Sequence, residues 1–202
     1  MTPAERVLLQ NKSWVQEKFA LDPGYFQRFA PGQHPQFLWI GCSDSRIPIN
    51  EITVTSAGEL FIHRNIANVI GVDDLNGLSV LQYAIGVLAV QHVIVCGHYG
   101  CAGVLAAMRG PATGPLDAWL DNIRAIQAAH REELDAIAEE DQRWDRMVEL
   151  NVLAQVRQLT QAPPVQAAWA SGAGLQLHGW VYRLDDGVLQ ELVAVSPPAL
   201  SG

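Results

Sequence analysis

The sequence predicts an α/β protein with a mostly parallel central sheet, an antiparallel C-terminal edge strand, flanking helices and an N-terminal helical arm. Three observations point there. Two short apolar runs, residues 37–40 and 93–96, each end in a glycine (Gly41, Gly97) and have the length of buried strands. Between the candidate strand at 60–62 and the one at 93–96, residues 79–90 place Val80, Leu81, Ala84, Ile85 and Leu88 on one helical face. That order of strand, helix and strand is the unit of a parallel sheet. In the tail, Leu175, Leu177, Gly179 and Val181 alternate with Gln176, His178, Trp180 and Tyr182. Asp185-Asp186-Gly187 then turns the chain into a second strand at 188–195, a hairpin pattern.

The remaining elements follow in order. Residues 4–20 set Val7, Leu8, Val15 and Phe19 among polar neighbours, as an amphipathic helix does. Asp22-Pro23-Gly24 ends that helix and Pro31-Gly32 closes the arm, residues 1–32. After Cys101 the pattern turns helical, with candidates at 116–129 and 144–159, and Pro163-Pro164 is expected to stop the second. The 202 residues suit a single domain, 1–202, with the arm appended. A chain of this size buries roughly 70% of the surface its unfolded form exposes, so it needs no disulfide staples.

Composition excludes several classes. The net charge of −8 argues against nucleic acid as a partner, because phosphate contacts need clustered Lys and Arg. The apolar stretches near 80–90 and 93–96 are interrupted by Gln82, Gln91 and His92 and are too short to span a bilayer. The first residues lack a basic region followed by an apolar one, so no signal peptide is expected and the cytoplasm is the expected compartment. Three cysteines suggest thiols or metal ligands, not a disulfide framework.

Two segments carry chemistry: Cys42-Ser43-Asp44-Ser45-Arg46 and His98-Tyr99-Gly100-Cys101. Each directly follows an apolar strand, and ligands of open parallel sheets bind beyond the carboxyl ends of the strands. If the two strands are near neighbours, Cys42, His98 and Cys101 converge. Thiolate and imidazole are the donors zinc favours, and three protein ligands leave a fourth position for water. Two thiolates offset the charge of the ion and so acidify its water less. Asp44 is placed to accept a hydrogen bond there, with Arg46 holding it as a carboxylate; alternatively Asp44 itself fills the fourth position. Cys96 reads as core, and His63 and His92 as core or interface. Gly97 to Gly103 lacks the spacing of a phosphate-binding loop.

At these residues the sequence resembles the β-class carbonic anhydrases. The similarity takes in Cys42 to Arg46, Glu59-Leu60-Phe61, His63-Arg64-Asn65, residues 79–84, Cys96-Gly97-His98 with Cys101, Leu177 to Trp180 and Tyr182, and spans nearly the whole chain. It implies Zn²⁺ on Cys42, His98 and Cys101, an Asp44–Arg46 catalytic pair, and attack of a zinc-held hydroxide on carbon dioxide to give bicarbonate. It also implies a homodimer built partly by the arm, often paired into a homotetramer. The resemblance is sharper toward a bacterial subgroup regulated by bicarbonate, whose Trp, Arg and Tyr correspond to Trp39, Arg64 and Tyr182. There, low pH or high bicarbonate is expected to move Asp44 onto the zinc. Two departures stand out. Ala102 replaces a usual glycine, and the chain stops at Gly202 where many relatives continue into a helix, which bears on the tetramer. The competing readings are a non-catalytic zinc module closed by Asp44, a thiol redox protein using Cys96 and Cys101, and hydrolysis of carbon disulfide or carbonyl sulfide.

Overall fold

Two compact units make up the chain in the computed structural model, which describes residues 1–71 and 73–198: Met1–His34, and everything from Pro35 onward. The last four residues of the expected domain lie outside the described residues. In the first unit, helix α1 (Pro3–Leu21) starts where the sequence offers a capping box. Thr2 Oγ1 accepts from the Glu5 N–H, and the Glu5 carboxylate accepts from the Thr2 N–H. Pro3 at the first helical position loses no hydrogen bond. Trp14 and Phe19 pack edge-on against Phe26, in the short 3₁₀ turn Phe26–Arg28. No residue of α1 is buried, and Val7, Leu8 and Leu9 face solvent.

In the second unit the β-branched and aromatic runs form a five-stranded sheet. The strands are β1 (Phe37–Cys42), β2 (Leu60–Asn65), β3 (His92–His98), β4 (Gln176–Tyr182) and β5 (Leu189–Val195), in the order β2-β1-β3-β4-β5. The first four are parallel, and β5 pairs antiparallel with β4. This is the predicted architecture. The helices are α2 (Ile49–Ile52), α3 (Leu75–Gly86), α4 (Ala102–Arg109), α5 (Pro115–Ala129), α6 (Arg131–Asp135), α7 (Glu140–Gln161) and α8 (Pro163–Ala170).

The main core lies on one face of the sheet. There Leu38, Ile40, Val93, Val95, Leu177 and Val181 meet Leu81, Val104, Leu120, Ile123, Val148, Val152 and Val156 from the helices. A smaller cluster on the other side gathers Trp39, Ile47, Ile49, Ile94, Cys96 and Tyr182.

Several boundaries depart from the sequence expectation, α7 among them, which begins at Glu140 and not at 144. Helix α3 begins and ends about four residues earlier than residues 79–90, because Asp74 caps it through its side chain on the Asn76 N–H. Pro163-Pro164 does more than stop α7: Pro163 occupies the first position of α8, where a proline is pre-set for helix and its missing N–H costs nothing.

Candidate metal centre

The strand order reverses between β1 and β3: the chain leaves β1 for β2 on one side and returns to β3 on the other. Such a switch point opens a crevice beyond the carboxyl ends of the two strands. β1 ends at Cys42 and β3 at His98, and the strands are hydrogen-bonded neighbours, with Gly41 opposite Cys96. The turn after His98 includes Gly100 at φ 68°, a left-handed conformation that glycine adopts without the Cβ penalty. It delivers Cys101 to the N-cap of α4, beside Cys42.

The donor atoms of Cys42, His98 and Cys101 all lie within 4.8 Å of one another, and the three residues are buried. The sulfurs are 3.9 Å apart, far outside disulfide range, and both cysteines are free. A tetrahedral ion with bonds of about 2.3 Å to sulfur sets two sulfurs roughly 3.8 Å apart. His98 is fully buried. Its Nδ1 lies 3.0 Å from the Tyr99 carbonyl, to which it can only donate. In the neutral ring that leaves the lone pair on Nε2, which is buried with no hydrogen-bond partner. A buried polar atom without a partner is costly, and a metal ion in the centre of this triangle removes the cost. The residues therefore fit zinc.

Electrostatics agree. The Cys42 thiol is pulled down by hydrogen bonding to Cys101, then by His98 and by the backbone N–H groups of Ala67 and Asp44. The Cys101 thiol is pushed up by Cys42 and by burial, against the N–H groups of Val104 and Gly103 at the start of α4. One thiolate forms readily, and a second at 3.9 Å needs positive charge between them.

Asp44 stands outside the triangle of donors, its Oδ2 3.7 Å from His98 Nε2. Arg46 grips it in a bidentate contact, Nε to Oδ1 at 2.9 Å and Nη2 to Oδ2 at 2.7 Å, and adds its backbone N–H. That grip holds the carboxyl well below the usual carboxylate range, so it is an acceptor at any working pH. Arg46 also reaches the Gly100 carbonyl, tying the two ligand-bearing loops together.

Arg64, at the end of β2, donates to the carbonyls of Cys42, Asp44 and Ile47. Trp39 and Tyr182 are buried in the smaller cluster, which also contains Ile47. Cys96 is in that cluster too, its thiol pushed up by burial, while Cys101 belongs to the main core. The redox pair considered from sequence therefore lacks its geometry. Sequence reading missed the Trp144 indole, which donates to the Cys101 carbonyl at 3.0 Å, and the Ala67 N–H beside Cys42. Neither has a local sequence signal.

Fold and donor set together define an α/β protein with a buried Cys-His-Cys cluster, able to hold a metal ion, at the switch point of its sheet. The sequence profile of the family Carbonic anhydrase matches residues 37–189. A carbonic anhydrase of Emericella nidulans is 46% identical over 188 residues, covering 93% of this chain and 82% of that one. Among solved structures, a tetrameric β-carbonic anhydrase of Sordaria macrospora superposes with a TM-score of 0.91 at 38% identity, covering 95% of this chain and 98% of the other. The Coccomyxa β-carbonic anhydrase in complex with acetazolamide gives 0.92 at 36% identity, covering 97% and 89%. The chain belongs to the carbonic anhydrase family, in its β class.

Proposed function

We propose that this protein catalyses the reversible hydration of carbon dioxide to bicarbonate and a proton, with Zn²⁺ held by Cys42, His98 and Cys101. The observation that carries this reading is the orphaned, buried His98 Nε2 facing two sulfurs 3.9 Å apart, with a clamped carboxylate at the side of the triangle. When bound, the ion supplies a Lewis acid that acidifies and orients a water molecule. The chain supplies the rest. The Tyr99 carbonyl fixes the ring of His98. Arg46 keeps Asp44 ionised and immobile, so Asp44 can accept a hydrogen bond from the reacting oxygen and leave a lone pair for the carbon. Metal content measured with stopped-flow carbon dioxide hydration from about pH 6.5 to 9 tests this. Stoichiometric zinc and activity that rises with pH are expected; a protein that binds no zinc refutes it, and tight zinc without hydration favours a non-catalytic module.

The same proposal includes regulation. Bicarbonate bound among Trp39, Arg64 and Tyr182 would draw the Arg64 guanidinium off the carbonyls of Cys42, Asp44 and Ile47. The released loop could then carry Asp44 onto the zinc, and low pH would favour the same closure. What supports this is that one side chain holds all three carbonyls. In Arg64→Ala, bicarbonate inhibition should be lost; unchanged inhibition would sink the regulatory reading. We further propose one domain, 1–202, with the arm assembling homodimers or homotetramers, supported by the unburied apolar residues of α1 and the tetrameric Sordaria relative. Sedimentation would test it. Among the described residues no helix is long and apolar enough to cross a membrane; the cytoplasm is proposed, and cell fractionation would decide.

A further inference from the structure

The chain after β2 makes a turn that its residue types do not favour. Ala67 sits at φ 61°, ψ 30° and Asn68 at φ 50°, two successive non-glycine residues in the left-handed region. L-residues adopt that conformation at a cost, and it persists only where surroundings over-determine it.

Here they do. The Trp119 indole donates to the Ile66 carbonyl at 2.9 Å. Asn151 Nδ2 donates to the Ala67 carbonyl at 2.9 Å. Asn65 closes on both the N–H and the carbonyl of Val69. Gln155 Oε1 accepts from the Ile70 N–H at 2.8 Å, and Gln155 Nε2 donates to Asn151 Oδ1 at 3.0 Å.

Asn151 and Gln155 lie one turn apart on α7 and are 1% and 0% exposed. They form a buried amide ladder whose outward bonds go to this turn. The turn in turn abuts the metal centre. Ala67 shares the main core with Cys42 and Cys101, and a Cβ on Gly103, in the first turn of α4, would come within 3.2 Å of the Ala67 Cβ. Asn65, which opens the turn, lies opposite Cys42 across the β1–β2 pairing, and its carbonyl accepts from the Ser43 N–H at 2.8 Å, which brings the Ala67 N–H to the Cys42 sulfur. That N–H and the Ile66 carbonyl belong to one peptide unit, so Trp119 grips one end of the plane whose other end meets the thiolate.

We propose that Trp119, Asn151 and Gln155 are positioning residues of the metal centre. They hold the strained 66–70 turn so that the Ala67 N–H stays on the Cys42 thiolate, and so set how much charge that sulfur gives the metal. This rests on the Cys-His-Cys metal reading above. Outer partners of metal ligands tune the metal in this way, and their loss typically lowers affinity 10- to 100-fold. Losing the N–H leaves the sulfur more electron-rich. A cobalt-substituted protein should then show its thiolate-to-metal charge-transfer band at longer wavelength.

The test compares the wild type, Trp119→Phe and Asn151→Ala, the last also in an Ala67→Gly background. The readouts are the cobalt spectrum and zinc affinity by chelator competition. Trp119→Phe removes only the indole donor from a half-buried ring, so it keeps the test alive if Asn151→Ala fails to fold. The expected result is a red-shifted band in both variants and about tenfold weaker zinc in Asn151→Ala. Ala67→Gly should restore part of the loss, because glycine holds the left-handed turn unaided. If the wild type shows no thiolate band, the metal reading itself fails. If it shows one and Trp119→Phe leaves band and affinity unchanged, the metal reading stands and the positioning role is overturned.

Discussion

Strand β3 begins and ends with a histidine, and the two are used in opposite ways. His92 Nδ1 lies 3.1 Å from His178 Nε2, and His178 Nδ1 lies 3.2 Å from Glu191, so three strands share one chain of side-chain contacts. Phe37 stacks on the His92 ring. His98, at the other end, gives Nδ1 to a backbone carbonyl and leaves Nε2 buried and alone. Residue type and strand are the same. Both rings engage Nδ1 within the fold; what sets His98 apart is that its Nε2 is buried without a partner and converges with two sulfurs.

The largest effect that could break this contrast comes from removing each ring. His98→Ala should lose stoichiometric zinc, and its carbon dioxide hydration should drop by more than about 100-fold, beyond the usual effect of losing an outer partner. His92→Ala should keep its zinc and stay within about twofold of wild-type activity; metal analysis with stopped-flow assays reads both. Equal losses would erase the distinction.

An acid at each end of the contrast, Asp44 near His98 and Glu191 on the His178 that contacts His92, gives the next comparison. Asp44→Asn should retain zinc while activity falls roughly 10²-fold, since the amide cannot accept as a carboxylate does and no longer holds Arg46 by charge. Glu191→Gln, beside His178, should leave the rate unchanged.

The smallest effect concerns pH. Burial, then the neighbouring His178, lowers the His92 pKa from 6.5. A group depressed in the fold contributes stability that is present above its unfolded value and lost as pH falls through the folded one. Urea midpoints of the wild type should therefore decline from about pH 6.5 downward, and His92→Phe should flatten that part of the decline. A parallel decline in the variant would show that His92 is not its source.

The convergence of Cys42, His98 and Cys101 was legible in the sequence because they fall at the ends of apolar strands or in the turn just beyond, so local pattern and the geometry of parallel sheets suffice. The Asp44–Arg46 contact was legible for the same reason, being two residues apart. The ladder of Asn151 and Gln155 was not. Two amides on a long helix read as its solvated face, and their partners Ala67 and Ile70 are about 85 residues away along the chain. The Pro163-Pro164 stop of α7 was legible, but the start of α8 was not, because a Pro-Pro pair serves equally as the end of one helix and the beginning of the next.

The placement of Cys42 at the end of β1 and of Cys101 just beyond β3 has a bearing on how a metal would come to be loaded. They are 59 positions apart, and β2 and α3 must be laid down before they meet. Pairing at such range comes late and slowly in folding, after its loop-closure entropy has been met. An ion that needs both sulfurs therefore finds no complete site in the nascent chain. Under the zinc proposal it would bind the finished sheet and, by mass action, shield only correctly folded molecules from unfolding. Occupancy of such a site would thus be a census of the molecules whose strands have found their order.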